Sequence, residues 1–366
     1  MAAHRAQPIA HIGFELPWPR VHDATGYCAA ELAVEEANAK GDLPCRVELV
    51  PIIDDRDPQK AREVARQFAE DPAAIGVLGP LNSPMAVANQ DVYHEAGLAQ
   101  ITSEATSPLL TRRGYRNFFR LVADDEKQGR AQARVAVQYL RARRIAVLHD
   151  STAWGEPIAG VFCAEARRLG VEPVLVWGFG EAERRLDFDA LVEATMASEP
   201  DLVYFAVYWN PAHIIAHQLR YARLEAPFLG TDALKAYPYL EVPGLDRVRP
   251  YHTFAGADIR LLPSAREFFV TFATRYPLTL VNIQYAAEGY DAAGLLLEAL
   301  RRAGRVDRAA VLESLQEMGT YQGVSGPIRF DERGDLVDPE MGLYQCEDGL
   351  RKYLGSLRDL LPGGPY

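Results

Sequence analysis

Short apolar runs alternate with amphipathic segments along the first part of the chain. The runs 10–16, 46–54, 73–80 and 98–102 are rich in Val, Ile and Leu and predict short strands that are buried on both faces. The segments between them carry apolar residues at helical spacing. Such alternation is typical of a parallel sheet covered by helices on both sides.

Capping signals mark the boundaries of these helices. Asp57 followed by Pro58, and Ser83 followed by Pro84, predict an N-cap with proline in the first turn. Gly41 is expected to end the first helix, because glycine readily adopts the left-handed conformation of a helix C-terminus.

The same strand–helix pattern begins again after residues 120–124, with strands predicted at 144–150, 172–179, 201–208 and 226–232. The chain therefore contains two α/β units. Three predicted helices without a sheet follow, at 264–277, 280–304 and 307–319, and strand-like stretches close the chain. We expect these helices to pack on the first unit, so that the chain crosses between the units more than once.

Composition narrows the class of protein. The 366 residues, 48% of them hydrophobic, are enough for two cores, and the net charge of −11 disfavours binding to nucleic acid or to an anionic membrane surface. It favours a soluble monomer. No run of about 18 apolar residues predicts a membrane span. The first residues lack the apolar region of a signal peptide, which leaves open a cytosolic protein or a mature exported one and fits the second better.

The sequence predicts no metal, cofactor or catalytic centre. Cys28 and Cys45 could form a disulfide, although buried free thiols are the favoured interpretation of all four cysteines. His213 and His217 lie one helical turn apart without a third metal ligand. The segment 178–183, GFGEAE, lacks the third glycine of a dinucleotide fingerprint.

Polar residues follow the predicted strands of the first unit. Ligands of open parallel sheets bind at the carboxyl ends of the strands. Here the sequence places four hydroxyls after one strand, at Thr102, Ser103, Thr106 and Ser107, and places Asn82 and Ser83 after another. The helix that begins near Ser83 offers free N–H groups and a partial positive charge, which suit a carboxylate.

The strand ends of the second unit carry a different chemistry. Aromatic residues follow two strands, at Trp154 and at Tyr208 and Trp209, and Asp232 follows a third. An acid at this position can face a cation. A ligand with a carboxylate at one end and an ammonium at the other would bridge the two units, and we therefore predict an α-amino acid.

Each of these residues also has a purely structural interpretation. Ser83 and Asp232 could be helix caps, and Thr106 could be an ordinary turn hydroxyl. Trp154 and Tyr208 could be core aromatics. The convergence of polar residues on strand ends favours the binding site.

At these residues the chain resembles a known family. Its segments GYCAAELAVEEANAKGD, ITSEATSPLLTRRGYRNFFR, IAVLHDSTAWGE and EGYDAAGLLLEAL are similar, in order and spacing, to blocks of the periplasmic leucine/isoleucine/valine-binding proteins. The resemblance covers about residues 10 to 355 and implies an α/β, type I periplasmic binding protein: two Rossmann-like lobes joined by three hinge crossings, with a cleft between them. The lobes are expected at 1–121 plus 255–327 and at 122–254 plus 328–366.

The resemblance also implies a role for individual residues. It assigns the ligand carboxylate to Ser83, Thr106 and Glu104, the ligand ammonium to Asp232, Tyr208 and Glu104, and the side-chain pocket to His22, Trp154, Asn82 and Trp209. Thr106 is expected to donate from both its side chain and its backbone. His22 replaces the usual Trp or Tyr of the family, Asp232 replaces the usual Glu, and the family's disulfide has no counterpart because Asp55 and Asn82 stand there.

The function implied is that of a non-enzymatic solute receptor of an ABC transporter. It would bind a small amino acid, with a branched-chain or aliphatic side chain favoured. Closure of the hinge between the lobes would then present a new surface of the protein to a membrane permease. The expected location is the periplasm, or the cell surface by a lipid anchor. The alternative is a cytosolic or periplasmic sensor of the same fold that binds an amide, urea or an aromatic acid.

Overall fold

The computed structural model describes residues 8–180, 188–235, 250–276, 285–347 and 350–364. The chain divides into two compact units: unit 1 comprises Met1–Val122 and Ile259–Pro339, and unit 2 comprises Ala123–Asp258 and Glu340–Tyr366. The third passage of the chain therefore lies near residue 340, later than the expected 328. The reason is that the segment before it belongs to unit 1, where Asp335 pairs with Arg120 on the last strand of the sheet.

The elements are numbered in chain order. The strands are β1 (Ile9–Leu16), β2 (Arg46–Ile53), β3 (Ala74–Leu78), β4 (Ala99–Thr102), β5 (Phe118–Arg120), β6 (Ile145–Asp150), β7 (Leu175–Phe179), β8 (Leu202–Ala206), β9 (Phe228–Gly230), β10 (Tyr251–Phe254), β11 (Tyr321–Gly323), β12 (Gly326–Ile328), β13 (Gly342–Glu347) and β14 (Leu350–Ser356). The α-helices are α1 (Thr25–Lys40), α2 (Pro58–Glu70), α3 (Ser83–Glu95), α4 (Leu109–Arg112), α5 (Asp125–Arg134), α6 (Gly155–Arg168), α7 (Asp189–Ala197), α8 (Trp209–Tyr221), α9 (Arg266–Arg275), α10 (Ala286–Ala303), α11 (Arg308–Gln316) and α12 (Leu357–Leu360).

Unit 1 is built on a five-stranded parallel sheet in the order β2-β1-β3-β4-β5. Helices α1, α10 and α11 contribute to the core on one face, and α2 and α3 pack together on the other. The expectation that the three late helices join the first unit is confirmed, since α9, α10 and α11 all belong to it. The first residues of the predicted helix at 280–304, and residues 181–183 of the GFGEAE segment, lie outside the described residues.

Unit 2 is built on a seven-stranded sheet in the order β14-β13-β10-β9-β8-β6-β7. Strands β6 to β10 are parallel, whereas β13 and β14 are antiparallel, which confirms the predicted strand-like stretches near the end of the chain. The core contains the stacked rings of Phe162 and Tyr204, whose centroids are 3.8 Å apart. The strand order reverses at β6, because β7 lies on one side of it and β8 on the other.

Local signals predict the start of α2 and the end of α1. Asp57 caps α2 by accepting hydrogen bonds from the backbone N–H groups of Gln59 (2.7 Å) and Lys60 (3.3 Å). Gly41 ends α1 with a φ of 69°, in the left-handed region. These interactions join residues within three positions of each other, so the sequence alone can indicate them.

All four cysteines are free and buried, so Cys28 and Cys45 form no disulfide. Burial raises the pKa of the Cys346 thiol to about 12 and also raises the pKa of Cys163. The buried thiols therefore act as small apolar side chains, as the favoured interpretation of the sequence had it.

A buried carboxyl group on α10 binds the turn between β11 and β12 to that helix within unit 1. Asp291 accepts hydrogen bonds from the N–H groups of Val324 and Ser325, both at 2.8 Å, and from the Ser325 hydroxyl at 2.5 Å. Burial raises the pKa of Asp291 to about 6, although the hydrogen bonds from Ser325 and Val324 oppose the shift.

The first prediction concerns the pH dependence of stability. The folded pKa of Asp291, about 6, lies above the ordinary value of 3.8, so its contribution is fully present below pH 4 and is lost as the pH rises through 6. We expect the free energy of unfolding to fall over this range by about 1–3 kcal/mol relative to Asp291→Asn. Denaturant unfolding of both proteins from pH 4 to pH 7 measures the difference. Parallel curves would contradict the assignment.

Candidate functional site

The carboxyl ends of β1, β3 and β4 lie at one edge of the unit 1 sheet, where the strand order reverses between β1 and β3. The loops that follow β3 and β4 bring together Asn82, Ser83, Glu104 and Thr106 at this edge. Thr106 and Ser83 are buried. Four of the residues predicted for the ligand site are thus neighbours within unit 1.

The Ser83 side chain bridges two strand-end loops. Its Oγ accepts the backbone N–H groups of Thr106 and Ser107, each at 3.1 Å. The interpretation of Ser83 as a helix N-cap is wrong: Asn82 is the N-cap, without a side-chain capping bond, and Ser83 is the first helical residue. With two N–H groups directed at its oxygen, the Ser83 hydroxyl can still donate its own hydrogen.

Thr102, and not Thr106, is the turn hydroxyl of this loop. The Thr102 hydroxyl donates to the Pro80 carbonyl (2.9 Å) and accepts from the N–H groups of Ala105 (3.0 Å) and Glu104 (3.3 Å). The Thr106 hydroxyl makes no hydrogen bond to the described part of the chain, whereas the Thr106 backbone N–H donates to Ser83. For a ligand at this edge, Thr106 therefore offers its hydroxyl, and the expected backbone donor is already engaged with Ser83.

A buried arginine fixes the far end of the same loop. Arg120, the last residue of β5, donates to the Ser107 carbonyl (2.9 Å) and to the Thr111 hydroxyl (2.8 Å). Its Nε donates to the Asp335 carboxylate at 2.5 Å. Because Ser107 also donates its N–H to Ser83, Arg120 and Ser83 hold opposite sides of one peptide segment.

One further predicted residue, His22, follows β1, and Asn82 follows β3. His22 lies in a short 3-10 helix, Val21–Asp23; its side chain is 61% exposed and its Nε2 is 3.5 Å from the Glu31 carboxylate. The Oδ1 atom of Asn82 is buried and has no hydrogen-bond partner among the described residues. A buried amide oxygen without a partner is unfavourable in an isolated protein and is suited to accept from a ligand.

The corresponding edge of unit 2 carries an aromatic pair. Trp154, at the start of α6, is buried, and its ring centroid lies 4.7 Å from that of Tyr208 at the end of β8. The indole N–H of Trp154 donates to Asp125 Oδ1 at 3.2 Å. Trp209, the first residue of α8, is 39% exposed. Trp154 and Tyr208 therefore contact each other directly, whereas Trp209 is partly exposed to solvent.

Asp232 lies at the end of the neighbouring strand, β9, and begins the 3-10 helix Asp232–Lys235. The Thr231 hydroxyl accepts the N–H of Ala233 at 3.2 Å in the first turn of this helix. Burial chiefly raises the pKa of Tyr204, and the nearby carboxylates of Asp125 and Asp232 raise it further. Both carboxylates therefore lie near the buried Tyr204 hydroxyl.

Asp125 was not predicted from the sequence. It is buried, whereas the preceding residue, Asp124, caps α5 by accepting the Lys127 N–H at 2.8 Å. The sequence marks Asp125 only by the capping acid, Asp124, directly before it. Consecutive residues of a helix point to different sides, so the second acid cannot share the capping role. No group of three potential metal-ligating side chains occurs within the described ranges.

Comparison with known proteins identifies the family. Residues 25–350 match the family model described as periplasmic binding protein. The chain belongs to the periplasmic binding protein family. An amino acid binding protein of Pseudomonas aeruginosa is 30% identical over 321 residues, which cover 87% of this chain and 84% of that protein. Leu/Ile/Val-binding protein homolog 1 of Brucella suis is 28% identical and covers 94% and 91% of the two chains.

Solved structures of periplasmic binding proteins show the same architecture. The leucine binding protein LivK of Thermotoga maritima superimposes with a TM-score of 0.84 at 24% identity, over 95% of this chain and 98% of that one. A substrate-binding protein of Desulfitobacterium hafniense in complex with Leu gives a TM-score of 0.80 at 25% identity, over 95% and 100%. The predicted resemblance and the type I periplasmic binding protein fold are confirmed. Members of this family are solute-binding proteins.

The second prediction concerns the buried ion pair behind the unit 1 loop. Asp335→Ala leaves the guanidinium of Arg120 buried without its carboxylate, and we expect a loss of about 3–5 kcal/mol in the free energy of unfolding. Glu172→Ala is the control, because it breaks an exposed pair with Arg167 and is expected to cost about 1 kcal/mol or less. Urea unfolding measures both, and equal losses would argue against the role of the buried pair.

Proposed function

We propose that this chain is the extracytoplasmic solute receptor of an ABC transporter, and that it binds a small α-amino acid. A branched-chain or aliphatic side chain is favoured. The observation that carries the proposal is the chemical contrast between the two edges: unit 1 presents hydrogen-bond donors at Ser83 and Thr106, and unit 2 presents carboxylates at Asp232 and Asp125. A zwitterion complements both.

The carboxylate of the ligand would be bound by unit 1. Ser83 and Thr106 supply hydroxyl donors, and the N-terminus of α3 adds a favourable dipole. A hydrogen bond to a charged group contributes about 1.5–3 kcal/mol. The positions of the donors are supported by Thr102 and Arg120, whose hydrogen bonds hold the loop that carries Thr106.

The ammonium of the ligand would be bound by unit 2. Asp232 is the pairing acid, and Tyr208 and a backbone group at Glu104 complete the contacts implied by the family. Asp232 is suited to this role because its side chain carries a carboxylate and it lies at the start of the short helix that follows β9. The faces of Trp154 and Tyr208 add attraction for a cation.

The ligand side chain would lie among His22, Trp154, Asn82 and Trp209. The aromatic faces suit an aliphatic or aromatic group, whereas the buried Asn82 Oδ1 without a partner suits a group that donates a hydrogen bond. This oxygen is the reason to retain the second candidate function, a sensor of the same fold for an amide, urea or an aromatic acid. The names of the Brucella relatives and the leucine complex from Desulfitobacterium favour the first candidate.

The proposed partner is a membrane permease, which would recognise the closed form after the units close on the ligand. We propose a monomer without a cofactor, in the periplasm or lipid-anchored at the cell surface. None of the described helices is long and apolar enough to cross a membrane.

The third prediction is the identity of the ligand class. A ligand that binds only the folded chain stabilises it by about 2.7 kcal/mol at 100 times its dissociation constant. We expect Leu, Ile or Val to raise the melting temperature in a screen of amino acids, amides, urea and aromatic acids, with calorimetry to confirm the hit. A shift with an amide, urea or aromatic acid alone would instead support the sensor, and no shift with any compound would contradict both functions.

The fourth prediction tests the ammonium subsite. Asp232→Ala would leave the ligand ammonium without its carboxylate, at a cost of about 3–5 kcal/mol, so the affinity for the amino acid should fall by about 10²–10⁴-fold. Titration calorimetry measures it. Asp359→Ala removes an exposed acid from α12 of the same unit and should leave the affinity unchanged. An unaltered dissociation constant for Asp232→Ala would reject the assignment.

A further inference from the structure

A buried carboxyl group joins the two loops that carry the aromatic pair of unit 2. Asp150 is the last residue of β6 and is fully buried. Its Oδ2 accepts the backbone N–H of Tyr208 at 3.1 Å, and its Oδ1 accepts the hydroxyl of Thr152. One side chain thus binds the loop after β6 to the end of β8.

The hydrogen bonds of Thr152 determine the polarity of this linkage. Its Oγ1 accepts the N–H groups of Gly155 (2.9 Å) and Trp154 (3.3 Å). With both acceptor positions used, the hydroxyl hydrogen is directed to Asp150. Both oxygens of Asp150 must therefore accept, so an asparagine there would place an NH₂ group against a donor.

Close packing keeps the same loops together. A Cβ atom on Gly155 would lie 2.3 Å from Asp150 Oδ1 and 2.6 Å from the Ala206 carbonyl oxygen. Only glycine allows the first turn of α6 to approach the ends of β6 and β8 this closely. Thr152, in the loop before Trp154, and the backbone N–H of Tyr208 are consequently both bound to the buried carboxylate of Asp150.

This arrangement restricts what Trp154 can offer to a ligand. Its backbone N–H is bound by Thr152, its indole N–H by Asp125, and its ring lies against Tyr208. With the indole donor already engaged, the side chain offers an apolar and π-rich face. Such a face suits an aliphatic group or a cation and gives no hydrogen bond.

We propose that Asp150 and Thr152 are positioning residues that fix Trp154 and Tyr208 as one aromatic wall of the ligand site. The wall is a property of unit 2 alone, whereas its contact with an amino acid rests on the function proposed above. Neither Asp150 nor Thr152 touches the ligand in this arrangement; each acts through the aromatic residue that it holds.

The fifth prediction tests the position of Trp154 in the absence of ligand and is independent of ligand binding. Thr152→Val removes the hydroxyl that links Asp150 to Trp154, and Thr152→Ser restores it. Ser151→Ala, which alters the neighbouring exposed residue, is the matched control. The fluorescence of Trp154 is obtained as the difference between each protein and the same protein carrying Trp154→Phe. Without any ligand, we expect a red shift in Thr152→Val and in Asp150→Asn, and unshifted emission in Thr152→Ser and Ser151→Ala.

Binding is measured separately, by calorimetry with the amino acid that stabilises the native chain. We expect Thr152→Val to lower the affinity at least about tenfold, or about 1.4 kcal/mol, and Thr152→Ser to restore it. Melting temperatures show that each variant is folded.

Unshifted Trp154 emission in Thr152→Val overturns the positioning role, whatever the affinity for the ligand. A red shift with unchanged affinity shows that the wall exists but does not serve the site, which also overturns the proposal. If no amino acid binds the native chain, the proposed function fails, and so does the proposed contact between the aromatic wall and a ligand. The emission of Trp154 still tests whether Asp150 and Thr152 hold the wall in place.

Discussion

The strand-end edges of both units depend on one constraint: a polar atom that is buried at the end of a strand must find a partner. Each unit satisfies it with a side chain that accepts hydrogen bonds from a second strand-end loop. In unit 1 this is the Ser83 hydroxyl, which accepts from Thr106 and Ser107. In unit 2 it is the Asp150 carboxylate, which accepts from Tyr208 and Thr152. These interactions set the loop shapes, and the loop shapes place the remaining side chains.

The two edges differ in the chemical groups that they carry besides those used in the internal hydrogen bonds of the loops. Unit 1 uses backbone N–H groups internally and leaves hydroxyl hydrogens at Ser83 and Thr106. Unit 2 uses the backbone N–H groups of Trp154 and Tyr208 internally, and its edge carries the ring faces of these two residues and the carboxylates of Asp125 and Asp232. The contrast arises from the same principle in both units, because the internal hydrogen bonds decide which groups remain for a ligand. Donors on one unit and acids on the other suit the solute-binding family to which the chain belongs.

The predictions from the sequence succeeded where the interaction is local. The Asp57 cap, the Gly41 helix end and the placement of the late helices in unit 1 follow from neighbouring residues or from a regular pattern. They failed where the partner is distant. Ser83 has the sequence context of a cap, yet its oxygen binds residues more than twenty positions away. Asp125 and Asp150 were overlooked: Asp125 is marked only by the capping acid before it, and a single aspartate at a strand end, such as Asp150, has no distinctive pattern.

The sequence by itself determined the alternation of strands and helices, the two-unit organisation and the family, because hydrophobic periodicity and ordered blocks are properties of neighbouring residues. It also indicated that the strand ends carry the chemistry. Only the tertiary structure decided that the Thr102 hydroxyl stabilises a turn, that the Ser83 hydroxyl joins two loops and that the Thr106 hydroxyl remains a donor. A hydroxyl group can accept or donate with almost any neighbour, so its role depends on the partners that folding brings within about 3 Å. Those partners come from strands that are adjacent in the sheet and distant along the chain.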